Sequence, residues 1–407
     1  MMSAVELPEI SPERIAAARV AGAAHVTHTP VIESAALSAR VHASIVLKAE
    51  NLQRTGSFKV HGALAKLGKL GDSARAGVTA GSAGNHAQAL AFAAQVHGVP
   101  CEIFVPNGAS ISKTEATRGY GAKVTIGGDS VDAAVQSAQQ LAAATGTHFC
   151  SPFDDLAIIA GQATLGVELV EDIGQLRRVI VPLGGGGLAS GVAIAVKQHD
   201  PSIRVIGVQV AACAPYANQP VHEGPVTTLA DGIAVKRPGV ITRPLVEHWL
   251  DDLVVVEEDD VADAMMVLLD RARLVVEGAG AVGVAALLTG KVAPARTGTT
   301  CIVLSGGNVD LGVLPNLLRR HETRAGRRLI LFAHIPDRPG GLARLLTLFA
   351  ERGANLIEVE HVREGVDLHV RETGVQVVLE VRDRLHAEAV VAAAHEAGYE
   401  VTEGLRP

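Results

Sequence analysis

Between Ile45 and Gly307 the chain alternates short runs rich in Val, Ile and Leu with longer Ala-rich stretches. The short runs cover residues 44–48, 101–105, 123–126, 178–181, 204–208 and 301–304, and two of the Ala-rich stretches cover 82–95 and 130–144. Apolar runs of this length predict buried strands, and their alternation with helices predicts βα units in parallel sheets. After residue 328 the pattern restarts. It predicts strands over 329–335, 356–362, 375–381 and 399–402. A helix with Leu342, Leu345, Leu346 and Phe349 on one face follows the first, and a second helix covers 387–397. That order, βαββαβ, is a ferredoxin-like unit. The basic, polar run from Arg319 to Arg328 separates the two patterns. The expected division is therefore residues 1–320, a linker over 321–328, and a small domain over 329–407.

Composition narrows the class of protein. With 48% hydrophobic and 19% charged residues in 407, there is enough apolar surface for large cores. A formal net charge of -7 disfavours nucleic acid and acidic membrane surfaces as partners. Every long apolar run is broken by Gly, Pro or charge, so no membrane span is expected. The start of the chain lacks the basic and apolar segments of a secretion signal. Cys101, Cys150, Cys213 and Cys301 are scattered without a CxxC pair, which reads as reduced thiols rather than a disulfide frame or zinc site. The expectation is a soluble, cytoplasmic protein with no metal.

Four short motifs then stand out in order: Gly56-Ser57-Phe58-Lys59, Ser82-Ala83-Gly84-Asn85-His86, Gly184-Gly185-Gly186-Gly187-Leu188, and Ser305-Gly306-Gly307-Asn308. Two of them directly follow predicted strands, where ligands bind in parallel sheets. A buried lysine amine can act as nucleophile or base. The glycine run lets backbone amides approach a phosphate. It could equally be a dinucleotide fingerprint, but the glycine spacing does not match, and the next strand ends at Gln209 rather than an acidic residue.

With those motifs, and with Pro152-Phe-Asp-Asp155, Gly161-Gln-Ala-Thr-Leu-Gly166 and Ala230-Asp-Gly-Ile-Ala-Val-Lys236, nearly the whole chain resembles the threonine dehydratase branch of the fold-type II pyridoxal phosphate (PLP) enzymes. The layout resembles the form with one C-terminal ACT domain. The resemblance implies an α/β fold of two parallel-sheet subdomains, the smaller one (roughly 55–155) inserted in the larger, plus the ACT unit. It implies PLP held by Lys59, with Lys59 and Ser305 as catalytic residues. Phe58, Asn85, Gly184, Gly185, Gly186, Gly187, Leu188, Gly232 and Ser305 would contact the cofactor, and Ser82, Ala83, Gly84, Asn85 and His86 the substrate. Glu277 falls near the pocket by family position, although a Glu beginning a helix is an equal reading. The implied reaction converts L-threonine to 2-oxobutyrate and ammonia, with L-serine a weaker substrate. Alternatives are a serine or 3-hydroxyaspartate ammonia-lyase, and an amino-acid sensor that has lost catalysis. A sulfhydrylase-type synthase suits the motifs less well.

Departures from the pattern add expectations. His61 stands where relatives usually carry Arg, so a supporting salt bridge is expected to be missing or altered. Ala83 replaces the second serine of the related serine racemases, so racemisation should be poor. In the tail, Asp337, Pro339, Gly340 and His361 would line a site for a branched-chain amino-acid effector. The other reading of that domain is an oligomerisation module without effector. Family habit implies a homodimer or homotetramer.

Overall fold

The computed structural model describes residues 7–217, 224, 226–363 and 369–404. The chain divides into two compact units, Met1–Asp310 and Leu311–Pro407. Among the described residues, the first contains ten strands in chain order: β1 (Val31–Glu33), β2 (Ser44–Lys48), β3 (Val78–Gly81), β4 (Cys101–Val105), β5 (Lys123–Ile126), β6 (His148–Phe149), β7 (Leu176–Pro182), β8 (Arg204–Val210), β9 (Asp252–Val256) and β10 (Thr299–Val303). Strands in the order β1-β2-β10-β7-β8-β9 form one sheet, and β5-β4-β3-β6 form another. All pairs are parallel except β1 with β2.

Each sheet has its own apolar core. Val179, Val181, Leu183, Val205 and Val303 pack against Leu165, Leu169, Val192 and Val196 of the covering helices in the larger one. Val78, Ala80, Ile103 and Val105 pack against Leu64, Leu67 and Leu90 in the smaller. The helix Leu156–Asp172 and the helix Lys59–Leu70 bring these layers together. They approach so closely that a Cβ on Gly161 would lie 2.6 Å from the Cα of Gly62, so only glycine fits.

The second unit carries β11 (Arg328–Pro336), β12 (Asn355–Val362), β13 (Glu372–Glu380) and β14 (Glu400–Glu403), in antiparallel order β12-β13-β11-β14. The helices Gly341–Glu351 and Arg384–Glu396 complete the βαββαβ order. Leu329, Leu331, Ala333 and Ile335 alternate with polar or opposite-face residues and bury one side of the sheet with Val375, Val377 and Leu379.

One expectation needs correcting. The basic run around Arg319–Arg328 is not an extended linker. The helix Leu314–Arg324 occupies most of it, and β11 begins at Arg328. This helix is amphipathic: Leu317 is buried and the element packs on β11, so the run is solvated helix face within the second unit. The division between units therefore falls at Asp310, ten residues before the expected position. Helix starts also move: the residues Ser82 to Gly84 form a loop, and the helix runs Asn85–His97.

Candidate active site

The four motifs meet at the carboxyl ends of the parallel strands. β3 ends into Ser82, β7 into the glycine run and β10 into Ser305. The lysine turn and the serine turn are stitched together by backbone. Phe58 N donates to Ser305 O at 3.0 Å, Gly307 N donates to Gly56 O at 2.8 Å, and Ser57 bridges Gly306. Asn308 ties in the third motif: its Nδ2 donates to Thr55 O at 2.9 Å and to Asn85 Oδ1 at 2.7 Å. Asn85 Nδ2 in turn donates to Glu277 Oε1 at 2.7 Å. Glu277, buried at the start of the helix Gly278–Leu288, therefore belongs to the cluster as well as to a helix start. Gly232, in the turn Asp231–Ile233, lies beside it: a Cβ there would sit 3.6 Å from Glu277 Oε1.

Lys59 opens the helix Lys59–Leu70, and its Nζ donates to Pro152 O at 2.7 Å. The next residue, Phe153, covers the glycine run. A Cβ on Gly185 would fall under 3.0 Å from three ring atoms of Phe153. Gly186 caps the helix Gly187–His199 at φ +96, which L side chains avoid, and no side chain caps that helix. Its first-turn amides lack intrahelical partners and suit an anion. Thr242 Oγ1 and Tyr216 Oη both donate to Gly185 O, at 2.6 and 3.2 Å, and hold the loop in shape. Leu188, one residue into this helix, is buried. Sequence reading quoted the Phe153 motif without assigning it a role, and missed Tyr216 and Thr242. Only their motif position offered a signal for Phe153; nothing local marked the other two.

The helix Asn85–His97 likewise begins without a side-chain cap, and Ser82 Oγ accepts from Gly84 N at 3.3 Å. A Cβ on Gly84 would meet nothing within 4 Å, so this side of the cluster is open. Ala83 lies in the same half-buried loop. His86 is buried, with Nε2 3.0 Å from Cys150 O. Burial, then the nearby Lys59, lowers its pKa to about 3 against the opposing carbonyl bond. It is a neutral donor at physiological pH, which fits a supporting role.

Burial lowers the Lys59 amine to about 8, partly opposed by Glu277. Burial raises the Glu277 carboxyl to about 7; Asp231 adds to the rise, and Lys113, Asn85 and Lys59 oppose it. Lys113 and Asp231 themselves pair at 3.0 Å across the gap between the smaller and larger sheets' domains. Two outcomes are expected. An amine of pKa about 8 predicts that PLP uptake by the apoprotein quickens roughly tenfold from pH 7 to 9, measured by stopped-flow absorbance. Because Glu277 is raised from 4.5 to about 7, its contribution to stability is full below pH 4.5 and is lost as pH rises through 7. Glu277→Gln keeps the acceptor for Asn85 and removes this loss. At pH 8 it should stabilise the apoprotein against denaturant by on the order of 2 kcal/mol, with little effect at pH 4.5.

The effector residues lie in the second unit. Arg363 forks onto Asp337 at 2.9 and 3.0 Å, tying the end of β12 to the turn before the helix Gly341–Glu351. Pro339 and Gly340 form that turn, with Gly340 at φ +82, and His361 is exposed on β12 opposite Val375. Residues 364–368, just beyond, lie outside the described residues.

Residues 23–306 match the pyridoxal-phosphate dependent enzyme family, and residues 329–398 match the ACT domain. The fold and the lysine–glycine-loop cluster thus define a PLP-dependent enzyme with an ACT domain. An L-threonine ammonia-lyase of Thermotoga maritima is 41% identical over 384 residues, covering 92% of this chain and 95% of that protein. An L-threonine ammonia-lyase of Geobacter sulfurreducens is 43% identical over 381 residues, covering 92% and 94%. Among solved structures, a T.th. threonine deaminase superposes with a TM-score of 0.69 at 36% identity, covering 74% of this chain and 99% of that one. Maize serine racemase superposes with a TM-score of 0.71 at 32% identity, covering 77% and 98%. The chain belongs to the L-threonine ammonia-lyase family of PLP enzymes.

The residues present fit that cofactor. The Gly184–Gly187 run meets the backbone requirement of a phosphate cradle, since side chains are excluded at Gly185 by Phe153 and at Gly186 by its φ of +96. A lysine amine of depressed pKa and the Asn85 amide lie in the same cluster, and the backbone of Ser305 is bonded to that of Phe58, next to the lysine.

Proposed function

We propose that the chain converts L-threonine to 2-oxobutyrate and ammonia, water being lost and then regained, and acts on L-serine more weakly. The carrying observation is that hydrogen bonds join the turn just before Lys59, Asn85, Glu277 and the Ser305–Asn308 turn into one cluster, with Lys59 Nζ bonded to Pro152 O beside the glycine run, in a chain 41% identical to an L-threonine ammonia-lyase over both units.

Lys59 would anchor PLP, the amides of Gly184 to Leu188 would hold its phosphate, and Phe58, Asn85, Gly232 and Ser305 would flank its ring. Bound there, the cofactor supplies the electron sink for the pair left at Cα. The other tasks fall to the chain. The Lys59 amine, lowered to about 8, is a base within reach of neutrality and removes the Cα proton. The open start of the helix Asn85–His97, after the loop Ser82 to Gly84, would receive the substrate carboxylate on its first-turn amides, which lack intrahelical partners. Ser305 would offer the ring nitrogen a neutral hydroxyl, which would not hold a proton there as a carboxylate would, and so would favour elimination over transamination. Glu277, through Asn85, adjusts the charge on this side of the cluster. The test is 2-oxo acid formation from L-threonine by PLP-loaded protein. Absence of turnover with L-threonine, but turnover with L-serine or 3-hydroxyaspartate, would shift the reading to that ammonia-lyase.

The ACT unit, in this reading, binds a branched-chain amino acid near Asp337, Pro339, Gly340 and His361, coupling by about 1–3 kcal/mol to catalysis. Titration with isoleucine and valine tests it: unchanged threonine kinetics with no binding heat would leave oligomerisation as the unit's role. We place the enzyme in the cytoplasm as a homodimer or homotetramer. Its four thiols support a reducing compartment, because all are free and buried.

A further inference from the structure

The glycine run is held against two walls from distant parts of the chain. Phe153 is one. Its ring meets Gly185, and a Cβ on Gly187 would lie 3.0 to 3.1 Å from its carbonyl oxygen, Cα and Cβ. The first turn of the helix Thr242–Trp249 is the other. A Cβ on Gly186 would lie 2.9 Å from Thr242 Cβ and 3.1 Å from Val246 Cγ2. Thr242 is fully buried, and its hydroxyl donates to Gly185 O. The path of the run therefore depends on how the two walls are set relative to each other.

Asp154, the residue after Phe153, joins them. Its Oδ1 accepts from Ile241 N at 2.8 Å and Thr242 N at 3.0 Å, and its Oδ2 from Val240 N at 2.9 Å. The helix Thr242–Trp249 has no side-chain cap at Ile241, so its leading amides find their acceptor in this carboxylate. A negative charge on three N–H groups at a helix start is favoured by charge-assisted hydrogen bonds and by the helix dipole. The chain closes tightly around it. A Cβ on Gly239 would lie 2.2 Å from Asp154 Oδ1 and 2.7 Å from Thr242 Oγ1, so a side chain there would push the carboxylate off the amides. Local demands do not account for Asp154. The helix that follows it, Leu156–Asp172, is capped by Asp155, which accepts from Ala157 N at 2.8 Å and Ile158 N at 3.3 Å. Asp154 is committed instead to partners 86 to 88 residues away, with its own backbone fixed by donation from Asp154 N to Ser151 Oγ at 3.0 Å.

We infer that Asp154 is a positioning residue for the phosphate cradle: by fixing Thr242 it sets where Gly185 and Gly186 lie, and so where the amides of the run point. The inference rests on the reading of Gly184 to Gly187 as that cradle. Its test is a double-mutant cycle on PLP affinity, measured by titrating full-length apoprotein with PLP and following absorbance. Asp154→Ala should weaken PLP binding about 30-fold. Asp154→Asn, which keeps an acceptor oxygen for Ile241 N and Thr242 N, should weaken it about fivefold. Thr242→Val keeps the backbone amide that Asp154 binds but removes the hydroxyl on Gly185 O, and should weaken PLP about tenfold. In the Thr242→Val background, Asp154→Ala should add less than about threefold, because the route from the carboxylate to the cradle is already cut. Loss of a helix cap lowers stability whichever residue stands at 242. Denaturant midpoints of the apoproteins should therefore fall additively while PLP affinities do not. Affinity losses that multiply in full would overturn the inference, and so would parent-like PLP affinity in both Asp154 variants. Should Asp154→Ala fail to fold, the same cycle with Asp154→Asn decides: its fivefold loss should vanish beside Thr242→Val, and its persistence there would overturn the inference. Parent-like affinity in Gly185→Ala as well would instead remove the cradle reading itself.

Discussion

Lys59→Ala is expected to abolish turnover of L-threonine, lowering kcat by at least about 1,000-fold, while leaving the fold intact. The lysine does two jobs: it anchors the cofactor, and it is the amine of depressed pKa in the cluster, at about 8. Its Nζ makes one hydrogen bond, to Pro152 O, and its side chain is only half-buried. Truncation to Ala therefore costs little packing, and Ala is a better helix former at the helix start. The separation of effects is the check. Circular dichroism and the denaturant midpoint should stay near the parent, 2-oxo acid formation should vanish, and the visible band of bound cofactor should disappear. Retained turnover would remove Lys59 from the mechanism and send the search to another amine. Retained fold with retained cofactor band but no turnover would mean that the phosphate cradle alone holds PLP and that Lys59 serves as base.

Gly185→Ala should have the second largest effect, through geometry rather than chemistry. The new Cβ would lie under 3.0 Å from three atoms of the Phe153 ring, where carbon contacts normally sit near ~3.5–4.0 Å. The Phe153 backbone is held on both sides, because Pro152 O receives the Lys59 bond and Asp154 accepts from Ile241 N and Thr242 N at 2.8 and 3.0 Å. Overpacking of this kind costs about 1–3 kcal/mol. The loop must also shift from its bonds to Thr242 and Tyr216. Cofactor affinity is expected to fall by roughly 100-fold, in line with a loss of about 3 kcal/mol at a preorganised anion site. Titration of the apoprotein with PLP, followed by absorbance, measures it. Unchanged affinity would mean the phosphate is held elsewhere.

Much of this organisation was legible before any coordinates. Six apolar runs became strands within a residue or two, because a parallel strand covered on both faces reads as an unbroken apolar run. The small domain's order was equally plain, since Val375, Val377 and Leu379 alternate with opposite-face residues over β13. Where reading went astray, composition misled it. The run after Arg319 is charged enough to suggest a linker, yet one buried face, around Leu317, suffices to make it a helix of the second unit. At His61 the partner was out of reach of the sequence: a substitution in a motif says nothing about which carboxylate, here Glu50 at 3.2 Å, lies beside it.

By itself, then, the sequence determined which groups are available and in what order. Lys59, Asn85, the glycine run and Ser305 are legible because each needs a local backbone signature: a helix start, a strand end, a turn that tolerates no side chain. Tertiary structure alone decided how they act on one another. Glu277 meets Asn85 across 192 residues, and His61 meets Thr164 across 103. The pKa values near 8 and 7 arise only once those partners and the surrounding core exclude water. Burial and charge pairing depend on distances in space, and periodicity along a chain carries no information about them.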